Sequence, residues 1–87
     1  MSTPVIYADF NNADARGCLR LNCIGTIEDL SRQGIQLLEG LQVILHDEEL
    51  EADGEAHYSS EEKVWVARID WDRLRKSGPG ASNRQQG

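Results

Sequence analysis

Long apolar runs are missing from this sequence. A membrane-spanning helix needs roughly 20 apolar residues, and the stretches here are short, as in Val43-Ile44-Leu45, so a helical membrane protein is excluded. Cysteine is scarce as well. Cys18 and Cys23 are the only two, they form no Cys-x-x-Cys pair, and no histidine lies near them to complete a zinc site. On a strand their separation puts them on opposite faces, which argues against a disulfide, so both are expected as small apolar fillers. There is no glycine-rich phosphate loop, no strand-to-helix nucleophile elbow around Ser31, Ser59 or Ser60, and no paired-histidine metal motif. No catalytic residue, cofactor or metal is therefore assigned, and a non-enzymatic protein is expected. Met1-Ser2-Thr3-Pro4 lacks the basic start, apolar core and cleavage site of a secretory signal, so the expected compartment is the cytoplasm.

Positive charge is also in short supply. Nine Lys and Arg against fifteen Asp and Glu leave a net charge of −6, which disfavours a general polyanion binder. Between Asp47 and Glu62 stand eight acids (Asp47, Glu48, Glu49, Glu51, Asp53, Glu55, Glu61 and Glu62) and no Lys or Arg. The rest of the chain is slightly basic, which predicts a bipolar molecule with an acidic surface over Asp47, Glu48, Glu49, Glu51, Asp53 and Glu55.

With 87 residues, 39% of them hydrophobic, the chain has room for one small domain. Val5 to Phe10 is rich in β-branched and aromatic residues, and Cys18 to Ile24 alternates; the two read as a hairpin. Thr26, three residues before Asp29, suggests a cap for a short helix from Ile27 to Gln33, closed by Gly34. Ile35 to Leu38 and Leu41 to His46 read as strands about a Glu39-Gly40 turn. Asp53-Gly54 marks a reversal into a strand from Glu55 to Ser59, and Val64 to Trp71 is the strongest strand signal. Asp72 to Lys76 is short enough for one closing turn. The expected fold is mainly β: a small, five-stranded, partly closed antiparallel barrel over residues 1–76, with one short helix between the second and third strands. Residues 77–87 have one alanine as their only apolar side chain and read as a disordered tail.

Leu38-Glu39-Gly40-Leu41-Gln42-Val43, followed by Gly54, Tyr58 and Trp65-Val66-Ala67-Arg68-Ile69, is similar to the strand pattern of SH3-like small barrels. That resemblance covers about residues 35–71 and implies a barrel able to host peptide, nucleic-acid or purely structural roles. Tyr7-x-Asp9-Phe10-Asn11-Asn12, Arg20-Leu21, Gly25-Thr26-x-x-Asp29-Leu30 and Trp65-Val66-Ala67-x-Ile69-Asp70-Trp71 also look like a set of short bacterial proteins that lend no functional residues.

Glu49-x-Glu51-x-Asp53-Gly54-Glu55 echoes a calcium loop, but Glu49 replaces the opening Asp and Ser60 stands where a bidentate Glu would close it. A solvated acidic hairpin loop is the better reading. His46 and His57 are placed to face each other across neighbouring strands, with Asp47 and Glu55 nearby, as surface histidines with supported protonation. Trp65 is expected in the core and Trp71 exposed at a barrel mouth. Trp71 with Arg68, Arg73 and Arg75 has the composition of an interaction hot spot, which makes another protein the expected partner. The same residues allow stacking on single-stranded nucleic acid, the alternative that the net charge disfavours.

Overall fold

A computed structural model describes residues 3–76. The chain runs β1 (Val5–Tyr7), β2 (Leu19–Arg20), α1 (Ile24–Gln33), β3 (Gln42–His46), β4 (Leu50–Ser59), β5 (Val64–Ile69), a single 3-10 turn (Trp71–Arg73) and β6 (Arg75–Lys76). The protein is mainly β, and its one short helix lies between the second and third strands. The strands form one curled sheet in the order β1-β3-β4-β5-β2, with β6 also on β4, and the result is a half-barrel.

Alternation explains the core. Ile6, Ala8 and Phe10 point inward from the first segment and meet Leu19 and Leu21, Val43 and Leu45, and Ala52 and Ala67. β4 and β5 present small inward residues, Ala52, Gly54, Ala56 and Ala67, which let the sheet curl tightly. A Cβ on Gly54 would lie 3.0 Å from Leu45 Cδ1 and 3.1 Å from Ile69 Cγ2.

Several expectations are corrected. The sheet has six strands rather than five and is mixed: β1 pairs parallel to β3, with Val5 opposite Ile44 and Tyr7 opposite His46. β1 and β2 form no hairpin, because each finds a better partner at opposite ends of the sheet; β2 pairs with β5. The segment after β1 bridges the gap, through Ala8 N–H to His46 O, Arg20 N–H to Asn12 O and a bridge between Ala13 and Leu19. Residues 35–38 form no strand; Ile35 and Leu37 instead pack against the core. Asp53-Gly54 is the middle of β4, not a turn. The reversal falls earlier, where Asp47 Oδ1 accepts from the amides of both Glu49 and Leu50 at 2.7 Å. The expected tail, 77–87, lies outside the described residues.

The helix starts three residues before its expected first residue, and Thr26 is not its cap. Cys23 occupies that position; its side chain bonds no free helix amide and instead sets its Sγ 3.0 Å from the Thr26 hydroxyl, while Gly34 ends the helix in the left-handed conformation as expected, at φ 67°. Thr26 is fully buried, and its hydroxyl donates to Tyr7 O at 2.6 Å. Asp29 Oδ2 accepts from Tyr7 N–H at 2.8 Å, and Gln33 Nε2 donates to Val5 O at 2.9 Å. The helix thus satisfies the polar groups along the outer edge of β1, which would otherwise offer a template for another strand. Gly25 permits this approach, since a Cβ there would lie 2.6 Å from the Tyr7 ring. Gly25, Thr26 and Asp29, which look like a sequence motif, are a clasp.

Candidate interaction surface around Trp71

The last third of the chain carries Trp71 out of the ladder. β5 ends at Ile69, and Asp70 Oδ1 then accepts from Asp72 N–H at 3.0 Å, capping the 3-10 turn that presents the indole. The ring packs edge-on against Phe10, with centroids 6.3 Å apart, and Nε1 donates to Gly17 O at 2.7 Å. Gly17 adopts φ 84°, and a Cβ at that position would come within 3.3 Å of the indole nitrogen. Anchored in this way, Trp71 is still 41% exposed, whereas Trp65 packs against the core and meets the Tyr58 ring edge-on. Trp71 is exposed as the sequence suggests, and Trp65 is half-buried against the core rather than within it.

Two concave surfaces share Trp71, Ile69 and Arg68. One, of about 420 Å³, lies between the Asp14–Cys18 loop and the end of β4. The other, of about 630 Å³, is rimmed by Asp53, Glu55, Asp70 and Asp72.

The arginines around Trp71 do not stand apart from the acidic stretch. Glu51, Asp53 and Glu55 are alternate outward residues of β4, so they form a row with steps of about 7 Å, and the neighbouring strands set cations against them. Arg75 reaches Glu51 at 2.9 Å and Asp53 at 3.0 Å, Arg68 reaches Glu55 at 2.7 Å, and Arg73 lies 3.5 Å from Asp70. At the other end of β4, Arg20 forks onto both carboxylate oxygens of Glu62, and Arg16 lies 3.7 Å from Glu61. The expected separation into acidic and basic surfaces is therefore overturned, because antiparallel pairing interleaves residues that lie far apart in the chain. Of the six acids assigned to one surface, Glu51, Asp53 and Glu55 join this ladder, while Asp47, Glu48 and Glu49 stay in the turn before it. A row on an extended strand also fails to converge its oxygens on one cation, as a calcium loop must.

The histidine pairing is corrected too. His46 lies opposite Glu51 and meets the Tyr7 ring edge-on, whereas His57 lies opposite Val66. His57 is gripped by two carboxylates, Glu39 at Nδ1 and Glu55 at Nε2. Its pKa is raised, chiefly by the bond to Glu39, while those of Glu39 and Glu55 are lowered, the first mainly by His57 and the second mainly by Arg68. In the protonated ring both nitrogens donate, Nδ1 to Glu39 and Nε2 to Glu55, and such an imidazolium has no lone pair for general base work. Burial and the neighbouring Asp14 push the Cys18 thiol up, against the opposing pull of Arg68, so it is a poor nucleophile at neutral pH.

Glu39 and Gly17 are the residues sequence reasoning missed. Glu39 passed for a turn residue, yet it also accepts from Tyr58 N–H at 3.0 Å. The two-residue spacing of Glu51, Asp53, Glu55 and His57 is a strand signal that the Asp53-Gly54 dipeptide masks. Protein-family models, curated proteins and solved structures yield no match to this chain.

Proposed function

We propose that this half-barrel is a non-enzymatic protein-interaction module whose contact surface centres on Trp71, with Arg68, Arg73 and Arg75 around it. The observation that carries the reading is an indole held by Gly17 O and Phe10, yet 41% exposed, on a ridge shared by two concave surfaces. An aromatic side chain fixed in advance loses little entropy on binding, and tryptophan and arginine dominate interface hot spots. The occupied imidazole of His57 and the raised Cys18 thiol support a role without catalysis. The resemblance to SH3-like barrels adds a scaffold suited to peptides. In this reading the protein works in the cytoplasm, with Cys18 and Cys23 as free thiols. Among the described residues, no helix is long and apolar enough to cross a membrane.

Single-stranded nucleic acid is the second reading, favoured by an exposed indole beside arginines. It is the weaker one, because Arg68 and Arg75 already hold carboxylates with which phosphates would have to compete. A quantitative pull-down comparing wild type with Trp71→Ala, each checked for the same folded NMR spectrum, tests the proposal. Loss of specific proteins with the variant supports it, and identical recovery overturns it. Recovery of RNA lost on the same substitution favours the second reading.

A further inference from the structure

We infer that the partner segment docking beside Trp71 is a basic peptide whose Lys or Arg side chain enters the groove rimmed by Asp53, Glu55, Asp70 and Asp72. The inference rests on the interaction-module reading and names the class of partner. In this groove of about 630 Å³, four carboxylates stand against one guanidinium, Arg68. Arg68 is itself bonded to Glu55, so it offers little positive charge to a ligand. Arg75, at the border, is committed to Glu51 and Asp53, and Arg73 lies against Asp70. The three guanidiniums, with the His57 ring also on Glu55, thus pair three of the four rim carboxylates and leave the fourth, Asp72, over. Asp72 has no ion-pair partner among the described residues and sits next to the indole.

An exposed indole next to carboxylates matches the two halves of a Lys or Arg side chain. The ring and Ile69 receive its methylene stem and add a cation–π contribution, and the carboxylates receive its charge. An acidic segment meets like charge at the same place, and the chain's net charge of −6 steers basic partners toward it and acidic ones away.

The test is an NMR titration of the full chain with three short peptides that share one apolar framework and carry Arg, Gln or Glu at alternate positions. The readouts are the Trp71 indole N–H and the Asp72 amide. The Arg peptide is expected to shift both signals with an affinity about tenfold above that of the Glu peptide, and added salt should narrow the gap. Asp53→Asn with Asp72→Asn, two exposed positions whose replacement leaves the core untouched, should cut the preference about fivefold, as expected for two exposed charge contacts. Equal or tighter binding of the Gln or Glu peptide at Trp71 overturns the basic partner and leaves the interaction-module reading standing. A preference unchanged by the double substitution, shifts confined to another surface, or no shift with any peptide also overturns the inference. The pull-down with Trp71→Ala then decides the module reading separately.

Discussion

Two regions of the half-barrel, the β1 edge and the Trp71 end, solve opposite problems. At β1 the polar side chains of the helix turn inward, so that Thr26, Asp29 and Gln33 occupy the backbone groups of Val5 and Tyr7, and the Thr26 hydroxyl is fully buried. At the Trp71 end the polar groups turn outward, as ion pairs between side chains that mostly remain in contact with water. The bond from the fully buried Thr26 is costly to break, while exposed ion pairs of the second kind contribute little to stability and stay available for exchange with a partner. A residue pattern that stands out in a sequence can thus belong wholly to the fold, as Gly25-Thr26-x-x-Asp29 does.

The sharpest break in this contrast comes from the clasp. Thr26→Val removes the donor to Tyr7 O and is expected to cost about 1–3 kcal/mol, the penalty for a buried acceptor left without its partner. Gly25→Ala forces a methyl group into the Tyr7 ring and is expected to cost a similar amount, about 1–3 kcal/mol. Urea denaturation measures both, and a midpoint unchanged by either substitution would show that the clasp contributes nothing. Trp71→Ala should fall below them in stability, at about 1 kcal/mol for one exchanged hydrogen bond and a partly exposed ring, yet have the larger effect on partner capture. If it unfolds the protein instead, the ring is structural and the two regions are alike.

Acidity probes the Trp71 end more gently. The raised pKa of His57 means that its contacts with Glu39 and Glu55 stabilise the fold fully below the unfolded value, about 6.5, and lose that contribution as pH rises through the folded one. The lowered values of Glu39 and Glu55 act in the opposite direction. Their contribution is present above the unfolded value, about 4.3, and disappears as pH falls through the folded ones. Thermal stability is therefore expected to peak between those two limits and to decline above neutrality, and His57→Gln should flatten the alkaline decline. A wild-type profile already flat from pH 5 to 8 would contradict this.

The smallest effect is assigned to Arg75→Ala, at most about 1 kcal/mol because the pair is exposed. Its signature is salt dependence. Without Arg75, Glu51 and Asp53 repel each other unopposed, so sodium chloride should raise the melting temperature of the variant more than that of wild type. Equal salt responses would mean that the cross-strand ladder is electrostatically inert.

Much of the architecture was legible in the sequence because it is local. The strand character of Val5 to Tyr7, the alternation after Cys18 that buries Leu19 and Leu21, the left-handed stop at Gly34, and the greater exposure of Trp71 than of Trp65 all follow from neighbours within a few residues. The site was half legible: Trp71 and its arginines stand out by type, but Glu39 and Gly17 act only across 18 and 54 positions of chain. Asp53-Gly54 misled because its turn chemistry is real, yet long-range pairing with β3 and β5 holds it extended.

By itself, the sequence determined a small, mainly β protein with one short helix and a tryptophan left at the surface, because residue periodicity and helix-ending chemistry act over a few residues. Tertiary structure alone decided that β1 runs parallel to β3, that Thr26 and Asp29 close its edge, and that the arginines of β5 and β6 neutralise the acidic row of β4. Those outcomes depend on which distant backbone groups satisfy one another when the sheet curls, and local periodicity carries no information about the partner.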